Sequence, residues 1–260
     1  SDNGYELFTG NEVGAMLLEY ICSERTKMGT MPADPVAVKT IVTTDIAAKI
    51  AEEYGVKLIE VLTGFKFIGE QIGFLEDKGQ EDRYIFGFEE SYGYLAGSYV
   101  RDKDAVVASM LICEMAAFYR TKGISLIQAR ENMYKKYGVY VHSQSSFVCE
   151  GVTGMERMKE IMSDLRTNTP KTIGGLTLTR FEDYLARTSV DTATGAKTML
   201  TLPKSDVLTF KLTDGASVII RPSGTEPKIK AYYTTTGTTK AEASALEKTI
   251  SDDFAKILGF

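Results

Sequence analysis

The chain has 260 residues, of which 43% are hydrophobic and 25% are charged, and its formal net charge is −5. This length suits two domains, and the composition is that of a folded globular protein rather than a disordered one. The acidic balance gives no reason to expect nucleic acid as a partner, and no apolar run approaches the roughly 20 residues that span a membrane.

The cysteines and the histidine indicate the redox state of the compartment and whether a metal site is expected. The cysteines are odd in number and far apart, which fits neither a disulfide framework nor a zinc pattern: Cys22, Cys113 and Cys149. Two of them lie in apolar stretches with helical spacing, so we predict buried free thiols in a reducing compartment, the cytoplasm. No signal peptide is visible in residues 1–10. The only histidine is His142, which we interpret as a strand residue; a metal site is not expected, with carboxylate-only sites as the alternative.

Helices and short strands alternate through the first half of the chain. Apolar residues at helical spacing predict helices over 11–22, 45–54, 67–77, 104–120 and 125–137. Short apolar or β-branched runs predict strands over 35–42, 56–62 and 84–88. The alternation predicts an α/β domain with a parallel sheet, and the fourth helix is apolar enough to be buried.

Two polar segments follow the second and third predicted strands, at 63–66 and 89–93. In open α/β sheets, ligands bind beyond the carboxyl ends of the strands. We therefore expect both segments to line a ligand pocket.

The second half of the chain has a different pattern. Strands are predicted over 139–149, 176–181, 207–212, 217–220 and 228–234, and helices over 153–166 and 240–258. Asp214-Gly215 is a hairpin signal. The apolar face of the last helix is predicted to comprise Ala243, Leu246, Ile250, Phe254 and Ile257. This pattern predicts a small α+β domain with a mostly antiparallel sheet, and the domain boundary is expected near 140–147.

The sharpest motif is the segment 221–230, Arg-Pro-Ser-Gly-Thr-Glu-Pro-Lys-Ile-Lys, which lies between two predicted strands. Arginine can bind a phosphate through two parallel hydrogen bonds, and glycine lets backbone N–H groups approach a ligand closely. The segment therefore predicts a phosphate clamp. The alternative is a solvated turn, since turns are rich in the same residue types.

The segment 88–94, Phe-Glu-Glu-Ser-Tyr-Gly-Tyr, carries a carboxylate and a hydroxyl that suit the vicinal hydroxyls of a sugar. In an extended segment Glu89 and Ser91 point to the same face, whereas Glu90 points away. The alternative is a strand end with a solvated acidic pair.

The segment 101–104 is a mixed charge run before a predicted helix. Asp102 or Asp104 is expected to cap that helix. This role is compatible with a ligand contact by Lys103.

Taken together, these segments resemble the α-D-phosphohexomutase family of phosphoglucomutases and phosphomannomutases, in order along most of the chain. Residues 8–15 resemble the stretch that follows the family's metal-binding loop, and residues 63–68 resemble its third-domain Thr-Gly loop. Residues 89–91 resemble its Gly-Glu-Glu-Ser sugar loop, with Phe88 where glycine is commonest. Residues 221–227 resemble its fourth-domain phosphate loop.

The resemblance implies a mutase that moves a phosphoryl group between O1 and O6 of a hexose, through a phosphoserine and a hexose 1,6-bisphosphate, with Mg²⁺. Neither the family's Ser-His-Asn-Pro loop nor its Asp-Gly-Asp-x-Asp-Arg metal loop occurs in this sequence. The chain would then be domain III, residues 1–142, and the TATA-binding-protein-like domain IV, residues 143–260. The missing N-terminal domains would supply the nucleophile and the metal ligands, so the chain alone is expected to be inactive.

The resemblance also implies residue roles. The residues that would contact the sugar are Thr63, Gly64, Lys66, Glu89, Ser91 and Lys103. Lys66 would in addition assist charge or proton transfer. The residues that would hold the non-reacting phosphate are Arg221, Ser223, Gly224, Thr225 and Lys230. Lys228 is a less favoured alternative to Lys230.

The implied substrate is glucose 1-phosphate or 6-phosphate, with mannose phosphates as the alternative. Glucose and mannose differ at C2 of the hexose, and Glu89 and Ser91 would not contact the hydroxyl at that carbon. The Thr-Gly-Phe-Lys loop favours the phosphoglucomutase branch. Two other functions stay open: a stand-alone, non-catalytic phosphosugar-binding module, and an interaction domain whose loops are structural. An upstream serine loop and metal loop would decide between an enzyme and a binding module.

Overall fold

The computed structural model describes residues 5–151, 153–224 and 226–260. Tertiary contacts divide the chain into two compact units, Ser1–Gly138 and Val139–Phe260. The first is an α/β unit and the second an α+β unit with an antiparallel sheet, so the predicted fold class is confirmed.

The first unit is built on a four-stranded sheet with the order β2-β1-β3-β4. Its strands are β1 (Val36–Thr40), β2 (Lys57–Val61), β3 (Tyr84–Glu89) and β4 (Gly93–Leu95). The first three are parallel, as predicted, and β4 pairs antiparallel with β3. Its helices are α1 (Gly10–Met28), α2 (Ile46–Glu53), α3 (Phe65–Glu76), α4 (Ala105–Thr121) and α5 (Leu126–Tyr137).

Local capping explains where these helices begin. Thr9 and Glu12 form a reciprocal capping box at the start of α1, which satisfies N–H groups that the helix itself leaves unpaired. Asp104 accepts hydrogen bonds from the amides of Val106 and Val107, so the predicted cap of α4 is confirmed at Asp104. Ser125 caps α5 in the same way.

The sheet of the first unit packs against helices on both faces. On β3 the ring of Phe88 fills the space beside Gly14 of α1, where a Cβ would lie 2.2 Å from it. The next residue back, Gly87, faces Ile68 of α3. Because neighbouring strand residues point to opposite faces, this alternation places α1 and α3 on the two sides of the sheet.

Helix α4 is less buried than predicted. Only Ala108 and Met115 of this helix are buried, whereas Val106 is 81% exposed and Met110 is 56% exposed. The helix contacts α1, α5 and β4, and these contacts cover a narrow edge of an almost uniformly apolar sequence. The prediction of a buried α4 is therefore wrong.

The cysteines divide in the same way. Of the two cysteines in predicted helices, Cys22 is buried, as predicted, but Cys113 lies on the exposed side of α4, so the prediction is wrong there. Cys149, at the end of a predicted strand, is also buried. Burial raises the pKa of the Cys22 thiol to about 12, so this thiol stays protonated and unreactive near neutral pH.

The second unit is built on an antiparallel sheet with the order β5-β12-β11-β10-β7-β8-β9, and β6 pairs with β7. Its strands are β5 (Val139–Val148), β6 (Thr172–Ile173), β7 (Leu176–Asp183), β8 (Thr188–Asp191), β9 (Lys197–Met199), β10 (Leu208–Leu212), β11 (Ser217–Pro222) and β12 (Lys228–Gly237). Its helices are α6 (Gly154–Thr167) and α7 (Lys240–Leu258).

One face of this sheet forms the core with both helices. Phe210 and Ile220 pack in a single cluster with Met162 of α6 and Phe254 of α7. Side chains that alternate with the core residues therefore lie on the opposite face of the sheet.

The predicted apolar face of α7 is correct except at its last position. Ala243, Ile250 and Phe254 are buried, but Leu258 is buried in place of Ile257, which is 36% exposed. Steps of four from Ile250 to Phe254 and Leu258 keep these side chains on one stripe of the helix.

No helix within the described ranges is both long enough and apolar enough to cross a lipid bilayer.

Candidate functional site

Three loops leave the carboxyl edge of the first sheet. Strand β1 pairs in parallel with both β2 and β3, so the segments that follow them leave from the same edge. These segments are residues 41–45, 62–64 and 90–92. The structure thus brings the predicted sugar-contacting segments to one edge.

The turn after β2 presents unpaired polar groups. Gly64 has φ 120° and ψ 131°, a conformation that side chains disfavour. It precedes α3, whose first N–H groups receive no side-chain cap. The Thr63 hydroxyl is buried and has no hydrogen-bond partner among the described residues. This turn can therefore donate hydrogen bonds to an oxygen-rich ligand.

Two lysines flank this turn. Lys66 is exposed, and its Nζ lies 4.8 Å from the centroid of the Phe67 ring. Lys103 Nζ lies 5.6 Å from the centroid of the Phe65 ring and 3.2 Å from Asp102 Oδ1. The packing of Arg101 against Gly69 of α3 holds this loop beside the helix. The predicted residues 63, 64, 66 and 103 are accordingly neighbours.

The acidic segment after β3 turns rather than extending. Strand β3 ends at Glu89, which pairs with Gly93 across a hairpin, and Tyr92 has φ 64°. The assumption of an extended segment carrying Glu89 and Ser91 on a common face is therefore wrong. Glu89 is 7% exposed, and a Cβ on Gly93 would lie 2.7 Å from its Oε1. Ser91 is exposed in the turn.

The start of α1 lies against this turn. A Cβ on Gly10 would lie 2.0 Å from the carbonyl oxygen of Glu90, so only glycine allows the contact. The hydroxyl of Tyr94 donates to the carbonyl oxygen of Gly10 at 2.9 Å. Asn11 Oδ1 accepts from the amide of Thr44 at 3.0 Å. The structure therefore adds Gly10 and Asn11 to the residues at this edge, which spacing alone did not indicate.

A buried ion cluster fixes the start of α1. The Arg130 side chain is 3% exposed and contacts Glu6 at 2.6 Å, Glu12 at 3.3 Å and Glu131 at 2.8 Å. Burial lowers the pKa of Arg130, but its bonds to Glu6 and Glu131 and the charge of Glu12 outweigh this and raise it. The hydroxyl of Tyr134 also donates to Glu12, at 3.2 Å. Glu12 is the capping-box residue of α1, so this cluster positions the helix terminus.

The described residues contain no group of three or more His, Cys, Asp or Glu side chains placed to hold a metal ion.

In the second unit, the predicted phosphate loop connects β11 to β12. The amide of Ser223 donates to the carbonyl oxygen of Lys228 at 2.8 Å, which closes the hairpin. Gly224 is exposed at its tip. Thr225, which was also predicted to hold the phosphate, lies outside the described residues.

Cationic side chains stand side by side next to this loop. Arg221 on β11 pairs directly with Lys230 on β12, and Lys230 pairs with Ser146 on β5. Directly paired residues share a sheet face, so a guanidinium, an ammonium and a hydroxyl form one row across three strands. Ser146 is exposed and was not predicted, because its position depends on the register of two ladders.

The two candidate lysines differ in their partners. Lys228 Nζ lies 2.5 Å from Glu226 Oε2, whereas the side chain of Lys230 has no ion pair or hydrogen bond within the described ranges. This difference favours Lys230 over Lys228 as a ligand group. His142 lies in β5, as predicted, with Nδ1 3.1 Å from Thr234 Oγ1.

Comparison with known proteins places the chain. The family model of phosphoglucomutase/phosphomannomutase alpha/beta/alpha domain III matches residues 9–137, and that of the phosphoglucomutase/phosphomannomutase C-terminal domain matches residues 171–252. The chain belongs to the phosphoglucomutase/phosphomannomutase family. The resemblance predicted from its loops is confirmed.

Curated relatives include phosphoglucomutases of staphylococci. The chain is 36% identical over 225 residues to that of Staphylococcus aureus strain RF122, which covers 86% of this chain and 39% of the relative. It is 34% identical over 232 residues to that of Staphylococcus saprophyticus, which covers 89% of this chain and 41% of the relative. The chain thus spans about two fifths of the length of these relatives.

Solved structures share the fold at low sequence identity. The open form of parafusin, a phosphoglucomutase from Paramecium, superposes with a TM-score of 0.67 at 18% identity, covering 97% of this chain and 42% of that one. A phosphoglucomutase/phosphomannomutase family protein from Burkholderia thailandensis gives a TM-score of 0.56 at 14% identity, covering 97% and 42%. At these identities the likeness supports the fold.

Proposed function

We propose that the whole protein interconverts hexose 1-phosphate and hexose 6-phosphate through a phosphoserine and a hexose 1,6-bisphosphate, and that this chain supplies sugar and phosphate binding. The observation that carries the proposal is the direct pairing of Arg221 with Lys230. Like charges directly opposite each other destabilise a ladder, so an anion between them is favoured. The phosphoglucomutase relatives support a phosphosugar as that anion.

The phosphate would be held by the row of cations and by the hairpin that follows it. Arg221 would donate two parallel hydrogen bonds, and Lys230 would contribute a point charge. Ser223, Gly224 and Thr225 would add hydroxyl and backbone donors from the loop. This set binds a phosphate without transferring it, which suits the phosphate that does not react.

The sugar would be held at the carboxyl edge of the first sheet. The Glu89 carboxylate accepts hydrogen bonds, so it suits vicinal hydroxyl groups, and Ser91 would add a hydroxyl from the turn. Thr63, Gly64 and Lys103 would line the same site. Lys66 would neutralise charge that develops during transfer or pass a proton, since phosphoryl transfer relies on positioning and charge neutralisation.

The remaining parts of the reaction are assigned to other domains. Residues 1–142 would form domain III and residues 143–260 domain IV, and N-terminal domains would carry the phosphoserine and the Mg²⁺ ligands. The metal would neutralise charge on the transferring phosphoryl group. We place the protein in the cytoplasm and prefer glucose phosphates over mannose phosphates, because the staphylococcal relatives are phosphoglucomutases.

We expect the purified 260-residue chain to show no conversion of glucose 1-phosphate to glucose 6-phosphate. The reason is that neither the serine loop nor the metal loop occurs in its sequence. The measurement is a coupled dehydrogenase assay with Mg²⁺ and glucose 1,6-bisphosphate, with a full-length phosphoglucomutase as the positive control. Turnover that survives purification and disappears in Arg221→Ala would show that the chain itself is active, against the proposal.

We expect Glu89→Gln to weaken binding of glucose 1-phosphate about tenfold and to leave binding of inorganic phosphate unchanged. A carboxylate makes stronger hydrogen bonds to hydroxyl groups than an amide, by roughly 1 to 2 kcal/mol. Isothermal titration calorimetry with both ligands measures this. Glu70→Gln, at an exposed position of α3, is the matched control. Equal loss for both ligands would mean that Glu89 supports the fold rather than the sugar.

A further inference from the structure

Arg221 is held by a tyrosine that lies two residues from Lys230 on the same strand. Arg221 Nε lies 3.3 Å and Nη2 lies 3.1 Å from the hydroxyl oxygen of Tyr232. The guanidinium carbon lies 5.8 Å from the centroid of the Tyr232 ring. Tyr232 is 5% exposed and pairs with Ile219 and Gln144 on the two neighbouring strands. A buried ring in the middle of three strands is a rigid support for a flexible side chain.

The contact decides which edge of the guanidinium can meet a ligand. The N–H groups of arginine form a planar fork, and the Nε and Nη2 edge faces the Tyr232 oxygen. The Nη1 and Nη2 edge keeps a parallel pair of N–H groups, the arrangement that binds two oxygens of one phosphate. Tyr232 thereby selects the edge by which Arg221 binds the anion.

The chemistry of the support also matters. A carboxylate in this position would neutralise Arg221 and compete with a phosphate for it. The phenol oxygen of a neutral tyrosine accepts hydrogen bonds but adds no negative charge. The guanidinium is therefore fixed close to Lys230 while the positive charge of the pair stays available.

We infer that Tyr232 is a positioning residue of the phosphate site: it orients Arg221 for bidentate binding and does not itself touch the phosphate. This inference rests on the proposed function, because it concerns the same site. It adds a residue that neither the sequence motif nor the predicted residue roles included.

The test uses the whole chain with Tyr232→Phe, which removes the hydroxyl and keeps the ring. The matched control is Tyr233→Phe, since Tyr233 is the next residue, is also buried and faces the core. Arg221→Ala reports on the proposed function itself. Two quantities are measured: the exchange rate of the Arg221 Nε–H proton by NMR without ligand, and the dissociation constant for inorganic phosphate.

We expect Tyr232→Phe to speed exchange of the Arg221 Nε–H proton about tenfold and to raise the phosphate dissociation constant about fivefold to tenfold, with an unchanged melting temperature. Tyr233→Phe should match the wild type in both. A Tyr232→Phe chain with wild-type exchange and wild-type affinity overturns the inference.

Failure of the proposed function gives a different pattern. If Arg221→Ala binds phosphate as the wild type does, the phosphate site is refuted, and with it the role of Tyr232 in binding. If Arg221→Ala loses binding and Tyr232→Phe does not, the phosphate site stands and the Tyr232 inference alone is refuted. If Tyr232→Phe lowers the melting temperature, the test uses the wild-type chain instead. Rapid exchange of its Arg221 Nε–H proton would refute the contact with the Tyr232 hydroxyl, and slow exchange would support it.

Discussion

Replacing Arg221 by alanine is expected to weaken binding of glucose 1-phosphate to the chain about 100-fold. The residue would donate two charge-assisted hydrogen bonds to the phosphate, and such bonds contribute roughly 1.5 to 3 kcal/mol each. Loss of the guanidinium also leaves Lys230 as a single cation in the row, so the field at the site falls. Calorimetric titration at low ionic strength measures the change, since salt screens exposed charges.

Two further variants separate the shape of the group from its charge. Arg221→Lys keeps the charge but loses the planar fork, and we expect a loss of about tenfold. Arg180→Ala removes an exposed arginine from β7 of the same sheet, so it controls for net charge and should bind as the wild type does. Equal effects of Arg180→Ala and Arg221→Ala would mean that only general electrostatics attract the ligand, contrary to the proposed clamp.

Replacing Arg130 by alanine is expected to lower the free energy of unfolding of the first unit by about 3 to 5 kcal/mol. The side chain is 3% exposed and Glu12 is 8% exposed, so its removal leaves a buried carboxylate without its cation. The hydroxyl of Tyr134 and the amide and hydroxyl of Thr9 would remain as donors to Glu12, but neutral donors replace little of the ion pair. Denaturant unfolding followed by hydrogen exchange of α1 amides measures the loss in this unit.

A second substitution distinguishes a buried charge from a packing defect. Glu12→Gln in the Arg130→Ala background removes the buried negative charge that Arg130 balances in the wild type, so we expect it to restore part of the lost stability. Arg120→Ala, at an exposed position of α4, should cost less than about 0.5 kcal/mol. A loss below about 1 kcal/mol in Arg130→Ala would show that water solvates Glu12 once the arginine is gone.

The fold could be predicted where local periodicity and burial agree. The bounds of α7, Lys240–Leu258, are predicted correctly from its apolar stripe, and the structure shows Thr239 and Gly259 capping its two ends. Short edge elements were missed: β4 has three residues and β9 has three, too few to show an alternation. Burial of α4 was predicted wrongly because an apolar sequence does not reveal how much surface covers it.

The loops of the candidate site could be predicted, but the residues that hold those loops and their side chains in place could not. Loops carry their own signals, such as Gly64 before α3 and the motif of residues 221–230. The supports depend on tertiary register. Arg130 and Glu12 are 118 residues apart in the chain, and the contact of Arg221 with Tyr232 needs the β11–β12 pairing to be known. Neither contact can be predicted from the spacing of residues in the sequence alone.

An amide NMR titration of the chain with glucose 1-phosphate, at low salt, tests the central claim that residues 221–230 hold the phosphate of a phosphosugar. We predict chemical-shift changes that concentrate in this segment and in Tyr232, saturate at millimolar ligand, and disappear in Arg221→Ala. Absence of shifts there at millimolar glucose 1-phosphate, or shifts that persist in Arg221→Ala, would contradict the claim.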